Sequence, residues 1–543
     1  MFFSALLIHA DETIAAKKSV ATFTVKKIKL KGVQKHPEQN ISRSILQDKL
    51  DDWRDEHYPQ KKLSLEQLND LAFRVSKYYQ NLGFSFVTAF VPKQKIRKGV
   101  VYIRVKEDKL TDINVRNVED WSRRRAIESE FRSMLGRPVF KPKLEEPIML
   151  LNDNPNQNIF AYFSRGKNKG ETRLNLNVIE NKSATLSLGA NNHGSKSVGE
   201  EQQWIRTKIY NLFGWNDVIS FDVNQVIDTE DNLSGTASYE KFIGNRESYT
   251  VSVSRNEYEL GEDLAILQLQ GSYSALRAQY KNKTVRTASL SKSHIYNIDY
   301  RESELTSDFI INSLDQKNSA LLTGYQYSST DYQISQGDYL TKSIQLSGIF
   351  TTEGEEQLEE EAFVKLNGFL QWGKNIGNYV PGLNSRLTTN FSFQYSAQNL
   401  PSADKTSLTG PSAVRAFEPG VFSADQSALI QFKWAEMYQT DYGQWQPYLF
   451  YDHAFGIRKI SDEEVEAELS GFGLGLNYRA TKWLKVEMSY GVSQETQIGE
   501  LDKESQSLFL LSLESQVFWY EQFKTHIHYK FATDALLLFF IAH

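Results

Sequence analysis

The residue types that most often do chemistry are present in this chain, but their spacing assembles no reacting centre. Nine His and no Cys occur in 543 residues, and the lack of Cys removes disulfides, thiolate metal sites and cysteine nucleophiles together. His526 and His528 stand two apart on one strand face, yet no third ligand is placed beside them for a metal such as zinc. Serines are abundant, but no G-x-S-x-G nucleophile elbow occurs, and no G-x-x-x-x-G-K-S/T phosphate loop is found. The acidic runs Glu355-Glu356 and Glu359-Glu360-Glu361 suit a solvated loop better than a carboxylate pair held for acid–base work. No enzymatic activity, cofactor or metal is therefore expected. Two charges remain of interest: Arg415, in a long loop, and Asp452, in an alternating segment.

The elements that would position them are strands. The net charge is −5 with no long basic run, so no nucleic-acid surface is expected. Aromatics reach 13%, with 27 Tyr and 32 Phe, while the mean hydropathy is only −0.48. The apolar residues are thus interleaved with polar ones. A helical membrane span needs about 20 consecutive apolar residues, and the stretch ALLLFFIA at 535–542 falls short. A transmembrane β-barrel needs only alternation over about 10 residues per strand.

Beyond Ser183 that alternation dominates. Leu484, Val486, Met488 and Tyr490 alternate with Lys485, Glu487 and Ser489; Phe472, Leu474, Leu476 and Tyr478 alternate with glycines and Asn477. Phe391, Phe393, Tyr395 and Ile344, Leu346, Phe350 follow the same period. Polar segments 351–361 and 459–468 read as loops between strands. Trp204, Trp215, Trp372, Trp434, Trp445 and Trp519 read as interfacial girdles. A soluble β-sandwich rarely sustains such a pattern for about 350 residues. At roughly 20 to 23 residues per strand with its connection, residues 182–531 supply about 16 antiparallel strands. A barrel that wide leaves an aqueous lumen that something must fill or gate.

Residues 22–181 have a different texture, mixed α and β. Residues 23–30 alternate as a strand; 63–82 carry Leu65, Leu68, Leu71, Ala72, Val75 and Tyr79 at helical spacing, with Ser64 as N-cap and Gly83 past the end. Strands over 84–91 and 99–107 complete a β-α-β-β unit over 22–107. A second unit over 108–181 repeats it: strand 109–115, helices 122–135 and 144–154, strands 159–165 and 171–179. Residues 1–10, with the apolar FFSALLI, read as a signal-peptide remnant.

Four stretches resemble one known family. Gly410-Pro411-Ser412-Ala413-Val414-Arg415-Ala416-Phe417 is similar to the VRG(Y/F) motif of a long loop folded back into a barrel lumen. Phe450-Tyr451-Asp452-His453-Ala454 is similar to the F-x-D-x-G motif of the inner wall. Asn191-Asn192-His193-Gly194 with Gly199 resembles the first hairpin of such barrels, and residues 161–172 the end of a second periplasmic module. The family is that of the two-partner secretion transporters (TpsB proteins), of the ShlB/FhaC/HecB type. Ala416 and Ala454 depart from it, since glycine is usual at both. A positive φ at 416 would leave alanine strained. The resemblance implies N-terminal POTRA modules in the periplasm and a sixteen-stranded barrel in the bacterial outer membrane; the plug helix and linker usual ahead of the modules have only about a dozen residues, 11–22, in this sequence, another departure from the family. The resemblance offers no role for residues 532–543, past the terminal aromatic Phe531.

The resemblance also implies a function: capture of an unfolded TpsA-type exoprotein, hemolysin- or adhesin-like, and its export through the barrel. Its other partners would be outer-membrane lipid and lipopolysaccharide, with periplasmic chaperones and the barrel assembly machinery for its own biogenesis. Cargo would add to exposed strand edges, with Phe84, Phe86, Ile159 and Tyr162 as candidate contacts. Val414, Arg415 and Phe417 would anchor the loop in the lumen, against Phe450 and Asp452 on the wall. Strand parity agrees: if Leu449 and Tyr451 face lipid, Phe450 and Asp452 face the lumen, where Arg415 needs a partner. An assembly insertase of the BamA or TamA kind, and a passive porin or receptor, remain the alternatives.

Overall fold

The computed structural model describes residues 21–180, 184–227, 232–261, 269–307, 316–333, 336–353, 361–378, 384–460, 463–480, 483–499, 501–502 and 505–519. The signal-peptide remnant, nearly all of the plug segment, the acidic residues 355–360, and the chain from 520 on with His526, His528, Phe531 and the tail lie outside them. The described residues fall into two compact units: 21–144 with Phe160–Asn177, and Glu145–Ile159 with those from Val178 on.

In the first unit, Lys27–Lys31, Val100–Glu107 and Val87–Phe90 form a sheet in that order. The first pair is parallel, the second antiparallel. Helices Arg43–His57 and Leu65–Asn81 bury Leu46, Leu50, Leu68, Leu71, Val75 and Tyr79 against Ile28, Leu30, Val101 and Ile103. The second helix begins with a capping box: the Gln67 N–H donates to Ser64 Oγ at 3.2 Å, and the Ser64 N–H donates to Gln67 Oε1 at 2.9 Å. Gly83 takes a φ of 100° just past its end, a conformation that glycine adopts at little cost. Ser64→Ala removes one of these bonds and should cost about 1 kcal/mol. Faster amide hydrogen exchange confined to Leu65–Asn81 is the expected result, and unchanged exchange there would refute it. The helix Arg43–His57 is an addition to the expected β-α-β-β order.

The second module repeats the topology. Lys109–Arg116, Glu171–Glu180 and Gln157–Arg165 form a sheet in that order, with helices Trp121–Ser129 and Lys141–Asn152 between the first and third. Lys109–Arg116 runs parallel to Glu171–Glu180. In both modules the strand that follows the second helix lies at a sheet edge.

In the second unit, the strands from Ala184–Asn191 to Ser507–Trp519 close into one antiparallel barrel. Two strands are each built of two segments, Gln426–Glu436 with Tyr438–Thr440 and Leu501–Asp502 with Ser507–Trp519, so the barrel has sixteen strands. The seam pairs Asn191 with Ser512 through to Ala184 with Trp519. Asn192 extends it, donating to the Phe509 carbonyl at 2.7 Å and accepting from the Leu511 N–H at 2.7 Å.

Strands run from 8 to 18 residues, many longer than the roughly 10 that a bilayer requires. Their outer faces are apolar and exposed: Tyr249, Val251 and Val253; Tyr296, Ile298 and Tyr300; Ile344, Leu346 and Phe350; Phe472 and Leu474. Such a continuous apolar band is unfavourable in water and suits lipid.

Two expectations need correction. Residues 351–353, 459–460 and 463–468 are strand rather than loop: Thr351 and Glu353 pair with Ala320 and Ser319, and Ile460 pairs with Glu463, from which the ladder continues; a strand carried past the apolar band is polar because water surrounds it. Trp204 is not part of an outer girdle. Its neighbour Ile205 is exposed, while the Trp204 ring is buried over Gly189, where a Cβ would meet it at 2.2 Å.

Candidate functional site

The connection between Ser385–Tyr395 and Gln426–Glu436 folds into the barrel. Its stem holds a short hairpin, Thr406–Ser407 with Ser423–Ala424. Its tip turns through Phe417 N–H to Val414 O at 3.2 Å and Ala413 N–H to Gly410 O at 3.0 Å. Val414, Ala416 and Phe417 are wholly buried, in a cluster with Leu408, Phe422, Leu429, Ala454 and Leu469. The strand parity holds: Leu449 and Tyr451 are exposed, Phe450 and Asp452 buried.

The structure brings Arg415 onto Asp452. Arg415 Nε donates to Oδ2 at 2.8 Å, Nη2 donates to Oδ1 at 2.6 Å, and the Arg415 N–H donates to Oδ2 at 3.1 Å. The Asp452 side chain is 0% exposed and that of Arg415 14%. The guanidinium also lies 3.8 Å from the centroid of the Phe450 ring, a cation–π contact strengthened by desolvation. This planar, bidentate geometry is what arginine provides and lysine does not. Beside it, Gln431 Nε2 donates to the Ala413 carbonyl at 2.8 Å.

The neighbouring strand Glu463–Arg479 makes the space. Tyr448, Phe450 and Asp452 stand opposite Gly475, Gly473 and Gly471. The Tyr448 and Phe450 rings lie over their partner glycines, and a Cβ on Gly471 would come within 2.5 Å of Ala416 Cβ. Gly491 likewise lies under the tip, 3.1 Å from Ala416 Cα by the same measure. On its other side, the ladder of this strand with Leu484–Ile498 shifts register between Ser470 and Gly471, a bulge of the kind that re-aims a wall beside a site. Ala416 is absent from the positive-φ residues, so alanine is unstrained there and its methyl fills the room left by Gly471. Ala454 is fully buried in the same cluster.

Three carboxylates of this site carry no signal in the sequence motifs. Asp425, 0% exposed, accepts from the Leu400 N–H at 2.7 Å and the Lys459 N–H at 2.8 Å, and Lys405 Nζ lies 3.3 Å away. It joins the two ends of the loop. Glu418 lies 2.5 Å from Lys196 Nζ in the first hairpin, and Asp404 is bound to Arg301 and Lys365.

The candidate cargo contacts divide. Phe84 is 3% exposed and packs on Tyr79, Phe140 and His36; Ile159 is 3% exposed, with both its backbone groups bound by Asn152. Both are core residues and offer no side chain to a partner. Phe86 is half-buried with its ring edge-on to Phe163 at 5.0 Å. Tyr162 is 44% exposed on the edge strand Gln157–Arg165, next to the still more exposed Phe160.

Comparison with known proteins places this architecture. The heme/hemopexin transporter protein HuxB of Haemophilus influenzae strain 86-028NP is 25% identical over 479 residues, 82% of this chain and 81% of that protein. The outer membrane transporter CdiB of Dickeya dadantii is 24% identical over 443 residues, 79% of this chain and 77% of that protein. The solved structure of CdiB from Escherichia coli shares the fold, with a TM-score of 0.67 at 17% identity over 95% of this chain and 94% of that one. Residues 23–108 match the ShlB-type POTRA domain. Residues 170–478, more than half of the chain, match the Haemolysin secretion/activation protein ShlB/FhaC/HecB, and the chain belongs to that family of TpsB-type outer-membrane transporters.

Proposed function

We propose that this chain captures an unfolded partner exoprotein in the periplasm and exports it through its barrel, as a transporter and not an enzyme. In this family the barrel lies in the outer membrane and the POTRA modules in the periplasm. The observation that carries the reading is a lumen occupied by a loop held through side-chain contacts; each module also ends its sheet on an edge strand, capped by a side chain only in part, at Ala89 in the first and at Ile159 in the second. A non-covalently held loop is displaceable. An open edge binds an extended chain through backbone hydrogen bonds, with little demand on its sequence. Exposed Tyr162 and Phe160, with Phe86 half-exposed on the other module, give such a chain apolar contacts. The matched relatives are named as transporters, one of heme/hemopexin. The partner proposed here is a TpsA-type exoprotein.

The test is secretion. A candidate TpsA-type exoprotein is expressed with and without this chain and assayed outside the cell. Cargo outside only in the presence of the chain supports export; equal release without it overturns the reading in favour of an insertase or porin. Deleting residues 23–180 should abolish secretion while leaving a heat-modifiable barrel. Secretion retained by that deletion would remove the POTRA modules from capture.

A further inference from the structure

The lumen loop meets the barrel wall at a second place, which the Arg415–Asp452 contact does not account for. The Asp404 side chain is 2% exposed and bound by Arg301 Nη2 and by Lys365 Nζ, the latter at 2.9 Å. Lys365 Nζ also reaches the Asp404 carbonyl at 3.3 Å, and Gln394 Nε2 donates to it at 3.1 Å. Arg301 sits on Leu290–Ser307 and Lys365 on Ala362–Asn375, the seventh and tenth strands of the barrel. Next to them, fully buried Leu400 packs on Ala320, Leu322, Ile349 and Phe363 of the eighth to tenth strands.

The loop tip sits elsewhere on the circumference. Asp452, Gly471 and Gly491 belong to the thirteenth, fourteenth and fifteenth strands. In a closed barrel of sixteen strands, strands eight apart face each other across the lumen, and Arg301 and Gly491 stand on such a pair. The loop therefore crosses the pore from wall to wall. Asp404 is a buried charge with two cationic partners from strands that are not neighbours, and an unpaired charge there would be strongly unfavourable. That is poor evidence of added stability but good evidence of a fixed position.

We propose that Asp404 is a second latch, a positioning residue that holds the loop as a strap across the lumen. The passage opens when the contacts on both walls are released. Only the identity of what passes rests on the transport reading above; the strap itself can be read by ion flow.

The experiment is conductance of the purified full chain in planar bilayers. Asp404→Asn keeps the shape and removes the charge; it should raise the conducting fraction by about tenfold, as Asp452→Asn should, while Asp404→Glu stays near the parent. Parental conductance in a heat-modifiable Asp404→Asn, with Asp452→Asn raised, would overturn the proposal. Should Asp404→Asn fail to assemble, a second arm uses the absence of native Cys. Asp404→Cys with Lys365→Cys, in the Asp452→Asn background, is bridged by a reducible bis-thiosulfonate. Bridging should suppress conductance and reduction should restore it; conductance indifferent to the bridge would overturn the latch. A chain with these conductance effects that moves no cargo sinks the transport reading alone, and one that moves cargo without them sinks the strap alone.

Discussion

Asp452→Ala is expected to release the loop tip and reduce export while the barrel remains folded. The substitution strips Arg415 of three hydrogen bonds and leaves its guanidinium 14% exposed with the Phe450 ring as its remaining contact on that side. Losing one partner of a buried pair costs about 3–5 kcal/mol, chiefly because the other charge stays unpaired. At about 1.4 kcal/mol per factor of ten, docking of the tip weakens by about two to three and a half orders of magnitude. The freed tip remains tethered at Asp404 and Asp425, so it wanders in the lumen rather than leaving it. Cargo secretion should fall and resting conductance rise, with heat-modifiability on gels unchanged. Arg415→Ala should be at least as severe, since it leaves the wholly buried Asp452 carboxylate unpaired, and the double variant should be milder than either single one. Undiminished export by both single variants would end the latch interpretation.

What could be read in the sequence was whatever depends on local period. The helix Leu65–Asn81 shows in its Leu68, Leu71, Ala72, Val75 stripe and its Ser64–Gln67 box. The helix Arg43–His57 does not, because Leu46 and Leu50 are its only fully buried residues in a charged run; its tertiary partners, and not its own pattern, hold it. Parity along Gly443–Ile460 predicts which of residues 449–452 face inward, because period two fixes faces. It does not say what covers a residue at a sheet edge: Phe84 and Ile159, candidate contacts for a partner, lie beneath packed neighbours. The Asp404 contacts were out of reach for another reason. Its partners lie 103 and 39 residues away, and only the closed register of the barrel brings the seventh and tenth strands to the loop.

The glycines alternating with Phe472, Leu474 and Leu476 were visible from the start, and their purpose gives the second large prediction. Gly471 faces Asp452 across the ladder, and its missing side chain is the space that Ala416 occupies. Gly471→Ala puts a Cβ 2.5 Å from Ala416 Cβ, with the Val492 carbonyl at 3.1 Å. Neither neighbour is the flexible end of a long side chain, so the loop tip must lift. Overpacking of this kind costs about 1–3 kcal/mol, enough to disturb the Arg415–Asp452 geometry although neither residue is changed. Gly471 is not among the positive-φ glycines, so alanine strains nothing in the strand itself and the effect falls on docking. Gly471→Ala should therefore raise resting conductance, and adding Ala416→Gly should restore the parent value by returning the removed volume. If Gly471→Ala raises conductance and Ala416→Gly does not reverse it, the strand has moved rather than the loop. If Gly471→Ala behaves as the parent, the glycine groove does not seat the tip at all.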